Sequence, residues 1–170
     1  MNTLDLRPLL KQTITFRKTT ADTNGELLEM EMVNTDNNGP PLHFHPNQEE
    51  SFHILSGSMM FYLDGAWTKK ETGETVVIQK GKPHTFKKGE CDEVKFITSM
   101  RPALTFEKYM FDIERIIKSR DLKTMKNFKT LIYVSTLWVK YKENMVSIKP
   151  PYFVMFLLSK LGKILGYKIN

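Results

Sequence analysis

Hydrophobic and polar positions alternate along much of the first two thirds of the chain. Residues 11–18, KQTITFRK, alternate and are rich in β-formers, so they predict a strand. Leu28, Met30 and Met32 alternate with Glu29 and Glu31, which predicts a strand with one apolar face. Asn34 to Pro41 reads as a loop of turn formers. Residues 51–56 and 58–63 are expected to form a strand pair around Ser56-Gly57, and Leu63-Asp64-Gly65-Ala66 carries an Asp-Gly hairpin signal. Further strands are expected at 74–79, at 84–87 after a Gly81–Pro83 turn, and through Val94, Phe96 and Thr98; residues 103–110 are expected to complete the β region. Many short strands with frequent turn signals predict a sandwich or barrel.

After Phe111 the period changes from two to that of a helix. A short helix is expected over 112–119 and a second over roughly 124–143, with Leu131, Val134, Trp138 and Tyr141 on one face. Pro150-Pro151 suits the start of a last helix, about 152–166, which lines up Phe153, Phe156, Leu157, Leu161, Ile164 and Leu165. The organisation expected is a β-barrel over 1–111 and a helical extension over 112–170.

Composition refines this picture in three places. The 170 residues allow one domain with a sizeable core and an appendage. Cys91 is the only cysteine, which excludes an intramolecular disulfide and any Cys-rich metal motif. Charge is segregated: residues 1–111 carry 13 Lys/Arg and 15 Asp/Glu, whereas residues 112–170 carry 12 and 4. The basic balance therefore belongs to the last third and is no nucleic-acid signature of the whole. The start, MNTLDLRPLL, lacks a basic segment followed by a long apolar run, so a cytoplasmic location is expected.

The chemistry concentrates in GPPLHFHPNQEESFHILSG, residues 39–57. His43 and His45 stand two apart, so on an extended strand both rings project from one face. Glu49 and Glu50 follow across a short polar turn, and all four histidines of the protein lie between 43 and 84. This pattern points to a metal site. No G-x-S-x-G elbow, phosphate-binding glycine loop or Cys–His arrangement accompanies it.

These residues resemble the cupin superfamily. Its first motif reads Gly, five residues, His-any-His, three or four residues, Glu, six residues, Gly. Glu50 follows His45 after four residues and Gly57 follows Glu50 after six, while Gly39 stands only three ahead of His43. The second motif is matched in spacing by Gly73, Gln79-Lys80-Gly81, His84 and Lys88, with Gln79 and Lys88 replacing the family's Pro and Asn. The resemblance covers about 25–110. It implies an all-β fold, a double-stranded β-helix or cupin/jelly-roll barrel, here with a C-terminal α-helical extension. It also implies that His43, His45, Glu50 and His84 converge on a divalent transition metal: Fe, Mn, Ni, Co, Cu or Zn. Glu49 would then be a rim charge and His53 would lie on the outer face.

By inward parity Phe52 and Ile54 are expected to line the cavity with Phe86 and Phe96, giving a pocket for a small, largely apolar ligand or substrate. Met59 or Met60 is a further candidate for that lining. Similarity to quercetinase-like cupins implies a dioxygenase-like enzyme in which Glu50 detaches from the metal to act as base. The alternative is a non-catalytic module binding a small molecule or a partner protein, and a third is an empty barrel without metal. The apolar stripe of the last helix is expected to pack on the barrel or against a second subunit, so a homodimer is expected. Contact of that helix with a membrane surface ranks behind, and nucleic-acid binding last, because no reading motif accompanies the charge.

Overall fold

In the computed structural model, which describes residues 2–169, the alternating segments become the strands of two facing sheets. The chain begins with β1 (Thr3–Asp5), α1 (Arg7–Leu10), β2 (Gln12–Lys18) and β3 (Leu28–Asn34). It continues through β4 (Leu42–Phe44), β5 (Glu49–Ser56), β6 (Ser58–Leu63), β7 (Ala66–Glu71), β8 (Thr75–Ile78), β9 (His84–Lys88) and β10 (Val94–Arg101). Next come α2 (Phe106–Ser119), α3 (Phe128–Lys140), β11 (Val146–Lys149) and α4 (Tyr152–Ile164). One sheet runs β1-β2-β3-β10-β5-β8 and the other β11-β4-β9-β6-β7, with antiparallel pairings throughout.

Strand alternation builds the core between the sheets. Leu28, Met30 and Met32 of β3 face Phe96, Thr98 and Met100 of β10 across the ladder, all turned inward. Antiparallel register also sets the chemistry: His43 of β4 pairs directly with His84 of β9, and on the opposite sheet Glu50 of β5 pairs with Met100 of β10. Two histidines and a carboxylate are thus delivered from facing sheets toward one point.

Four expectations from the sequence are corrected. β5 and β6 do not pair with each other; they belong to different sheets. Gly57 turns the chain between them at φ +81°, where a Cβ would lie 2.7 Å from the Glu93 carbonyl oxygen. Residues 103–110 are not a closing strand, because α2 already begins at Phe106, with Tyr109, Met110 and Ile113 buried. Helix α3 is buried on most sides, from Ile132 to Trp138, while Leu131 faces outward. Finally, the stripe of α4 does not pack inward: Phe153, Phe156, Leu157, Leu161, Ile164 and Leu165 are all exposed.

The extension also returns to the barrel as β11, pairing with β4 beside His43. Tyr141 and Lys140 at the end of α3 both donate to Asp112 of α2, each at 2.6 Å, and fasten the two helices together.

Candidate metal centre

His43, His45, Glu50 and His84 meet in a buried group whose ligand atoms lie within 4.8 Å of one another. Their strands explain the meeting. β4 and its continuation place His43 and His45 on the inner face two residues apart, β9 supplies His84 beside them, and β5 brings Glu50 from across the barrel. Neighbouring Glu49 points the other way, as alternation requires, and at the rim its carboxylate accepts from Gln79 Nε2 at 2.6 Å. His53 lies outside, with Nδ1 3.0 Å from Thr75 Oγ1.

Each histidine of the group is tethered by Nδ1 to a backbone carbonyl. His43 reaches Pro41 O at 2.8 Å, His45 reaches Asn144 O at 2.6 Å, and His84 reaches Lys82 O at 2.9 Å. A carbonyl only accepts, so Nδ1 carries the proton in all three and Nε2 is the atom presented to the centre. That is the outer-shell arrangement that orients imidazole for a metal. The Nε2 atoms of His84 and His45 lie 2.9 Å and 3.2 Å from one oxygen of Glu50.

The electrostatics suit the same use. Burial, with the neighbouring His84 and His45, pushes His43 down to about 3, so it stays neutral at physiological pH. Burial alone would raise Glu50, but the charge and hydrogen bonds of His45 and His84 hold its carboxyl well below the usual range. Burial depresses His84, yet the hydrogen bond and charge of Glu50 outweigh it and raise its pKa. Three imidazole nitrogens and one carboxylate form a donor set for a divalent transition metal.

Beside this group lies a cavity of about 410 Å³, with His43, His45 and Glu50 in its wall. The rest of the wall is mainly apolar, including Met30, Met32, Phe86, Tyr109, Val134 and Trp138. Of the four expected lining residues, Phe86 is there. Phe52, Ile54 and Phe96 face inward but pack behind the wall: Phe52 sits 4.8 Å from Phe86, 5.1 Å from Phe61 and 5.9 Å from Phe96, ring centre to ring centre. Inward parity identifies the core side of a strand but not which end of the barrel stays open. Met59 is likewise buried outside the wall.

Several contributors lie outside the motifs. Trp138 of α3 presents its ring to His43 at 5.8 Å, and Phe106 of α2 packs on His45 at 5.9 Å. Asn144 holds Thr105 with its side chain while its carbonyl receives His45. A backbone carbonyl has no sequence signal, so Asn144 could not be read from residue identity. Thr98 is legible only as a strand residue, yet it lies at the cavity wall, and its hydroxyl, itself shut off from the cavity, has no hydrogen-bond partner among the described residues.

Gly39, displaced from the family spacing, makes a close approach: a Cβ there would fall 1.5 Å from the Phe86 carbonyl oxygen. We expect Gly39→Ala to cost about 1–3 kcal/mol in a denaturant titration. It should also weaken metal binding, because this loop carries the Pro41 carbonyl that holds His43. Wild-type stability in that variant would show that the loop is not so confined.

A family model described as a cupin domain matches residues 30–100. The barrel belongs to the cupin superfamily. Among solved structures, this cupin is similar to a predicted oxalate decarboxylase from Thermotoga maritima, at 16% identity and TM-score 0.51, over 54% of this chain and 80% of that one. KdgF from Halomonas sp. matches at 16% identity and TM-score 0.50, over 60% and 88%. An HTH_3 family transcriptional regulator from Vibrio cholerae matches at 19% and TM-score 0.45, over 54% of this chain and 51% of the regulator. The chain therefore spans about half the length of that last relative. At these identities the likeness shows the fold alone. A search of curated proteins finds no match to the sequence. The family's Asn is here Lys88, whose ammonium donates to the Cys91 carbonyl. Among the described residues, no helix is long and apolar enough to cross a membrane.

Proposed function

We propose that this cupin is a metal-dependent enzyme, of the oxygen-using kind, acting on a small and largely apolar organic molecule. The observation that carries the reading is the opening of His43, His45 and Glu50 onto an apolar cavity of about 410 Å³. A purely structural metal site would be closed by protein on every side. His43, His45, Glu50 and His84 would hold the ion, which supplies Lewis-acid polarisation and a route to dioxygen chemistry when bound.

The chain's own residues do the rest. The apolar wall excludes water and selects a ligand of matching character. Glu50 faces the cavity and would act as base once it leaves its imidazole partners, whose hydrogen bonds otherwise hold its carboxyl low. Burial pushes the Tyr109 hydroxyl up, so it keeps its proton and serves as a donor.

The test is to load the protein with each candidate ion and follow oxygen consumption over a panel of small aromatic and aliphatic compounds. Turnover that needs both the ion and Glu50 supports the enzyme. Saturable binding without turnover would make the barrel a non-catalytic binding module.

Thr98→Val should separate ligand binding from stability. Removing a buried, unpartnered hydroxyl should leave the free protein equally or more stable, by up to about 1 kcal/mol. The same change should leave the affinity for the best ligand of the panel unaltered by calorimetry, because the hydroxyl is shut off from the cavity. A loss of stability with unchanged ligand affinity would show that the hydroxyl serves the fold.

A further inference from the structure

Helix α4 is seated by Met155 and by its two smallest side chains, Ser159 and Gly162. These are its buried positions, and a Cβ on Gly162 would lie 2.4 Å from Ile132 Cγ2 of α3. The helix end is fixed as well. Tyr167 N donates to Gly162 O at 2.8 Å, and the Tyr167 ring meets Tyr133 edge-on at 5.4 Å. Arg120 and Arg115 then hold the carbonyls of Lys168 and Ile169. The rotation of α4 about its own axis is therefore set, and it turns the apolar stripe to solvent.

That stripe is substantial: Phe153 is 63% exposed, Leu157 59% and Ile164 82%. The meeting of Gly162 with Ile132 sets the last turns of α4 beside the first turn of α3, which exposes Phe128 and Leu131. Scattered exposed apolar residues are ordinary, but a contiguous row on one helix marks an interaction surface.

Charge identifies the occupant. From residue 122 onward the chain carries nine lysines and a single acidic residue, Glu143. Lys160 lies over the Phe156 ring at 5.1 Å, at the flank of the stripe, with Lys163 close by. Neither is in a salt bridge among the described residues. Pairing of this face with a second copy would press lysine against lysine with no carboxylate between them. An anionic lipid surface satisfies both halves of the pattern, apolar side chains among the acyl chains and lysines at the phosphates.

We propose that α4, with the first turn of α3, docks this protein on an anionic membrane surface, the helix lying in the interface plane. The docked orientation has a consequence that rests on the functional reading above. Lys123, Met125 and Lys126, just ahead of α3, are exposed members of the cavity wall, so docking brings that side of the cavity to the lipid interface, where apolar substrates partition.

The test is co-sedimentation of the full chain with vesicles of phosphatidylcholine alone or doped with phosphatidylglycerol. Binding should be at least about tenfold tighter to the doped vesicles and should weaken with salt. Lys160→Glu and Lys163→Glu should each reduce affinity about fivefold or more. Leu157→Ser with Ile164→Ser should abolish binding while circular dichroism stays unchanged, since both residues are exposed. Equal, weak binding to both vesicle types would overturn the proposal. So would a stable dimer in solution that Ile164→Ser dissociates, because the stripe would then be covered by a second copy. None of these readings depends on metal or turnover, so failure here is separable from failure of the enzyme reading.

Discussion

His84→Ala is expected to remove stoichiometric transition metal from the protein, with an affinity loss greater than about 100-fold. Changes to outer-shell partners already cost about 10–100-fold, and His84 is itself one of the four inward donors. Its loss also leaves Glu50 with one imidazole partner instead of two, at 3.2 Å from His45. The measurement is elemental mass spectrometry on protein purified without a histidine tag, with His43→Ala alongside. Because His84 is fully buried, circular dichroism and a denaturant midpoint must accompany the metal content. His84→Gln, which keeps bulk and polarity, should fold yet still lose the metal. A wild-type protein that holds no ion and takes none up on titration would end the enzyme reading, which rests on the one group among the described residues that could hold a metal. Metal retained by both variants would place the ion elsewhere.

The same centre shows how the fold shares out its tasks. The barrel strands place the four donors, but the outer shell draws on the helical extension. Asn144 receives the Nδ1 proton of His45, and Trp138 closes against His43. β11 pairs with β4, the strand that bears His43. The extension therefore takes part in orienting the donors and in forming the cavity wall.

Much of this was legible in the sequence, and the exceptions have a common origin. Period-two alternation correctly places Glu50 inward and His53 outward, because that property is local to one strand. It does not say which sheet a strand joins, so it pairs β5 with β6, whereas Gly57 sends them to opposite sheets. Nor does parity give depth along the barrel, so it points Phe52, Ile54 and Phe96 at the cavity although they pack behind its wall. Residues 103–110 contain enough β-formers to read as a strand, but packing of Tyr109, Met110 and Ile113 favours the helix. In α4 the apolar stripe was visible, but not its direction. The face that packs is the one with Ser159 and Gly162, where small side chains let two helices approach; hydrophobicity alone points to the opposite face.

Acid should destabilise the metal-free protein well before carboxylates as a class are protonated. His43 binds a proton near 6.5 in the unfolded chain but only near 3 when folded, because burial and its imidazole neighbours oppose the charge. Between those values the unfolded chain holds the extra proton. Stability is thus fully present above pH 6.5 and is lost as pH falls toward 3. Over that window the loss attributable to His43 is on the order of 4 kcal/mol. Glu50, whose folded pKa is depressed, adds to the loss once pH drops below the ordinary carboxylate range. His84 has the opposite sign: its raised pKa contributes stability that is complete below the ordinary imidazole range and fades as pH rises through the raised value. It therefore leaves the acid slope to His43. Denaturant midpoints taken with chelator present should fall steadily from pH 6.5 downward, and His43→Gln should flatten the upper part of that fall. An unchanged midpoint down to about pH 4, where only ordinary carboxylates begin to titrate, would mean that His43 is hydrated in solution and that the centre is open to water without its metal.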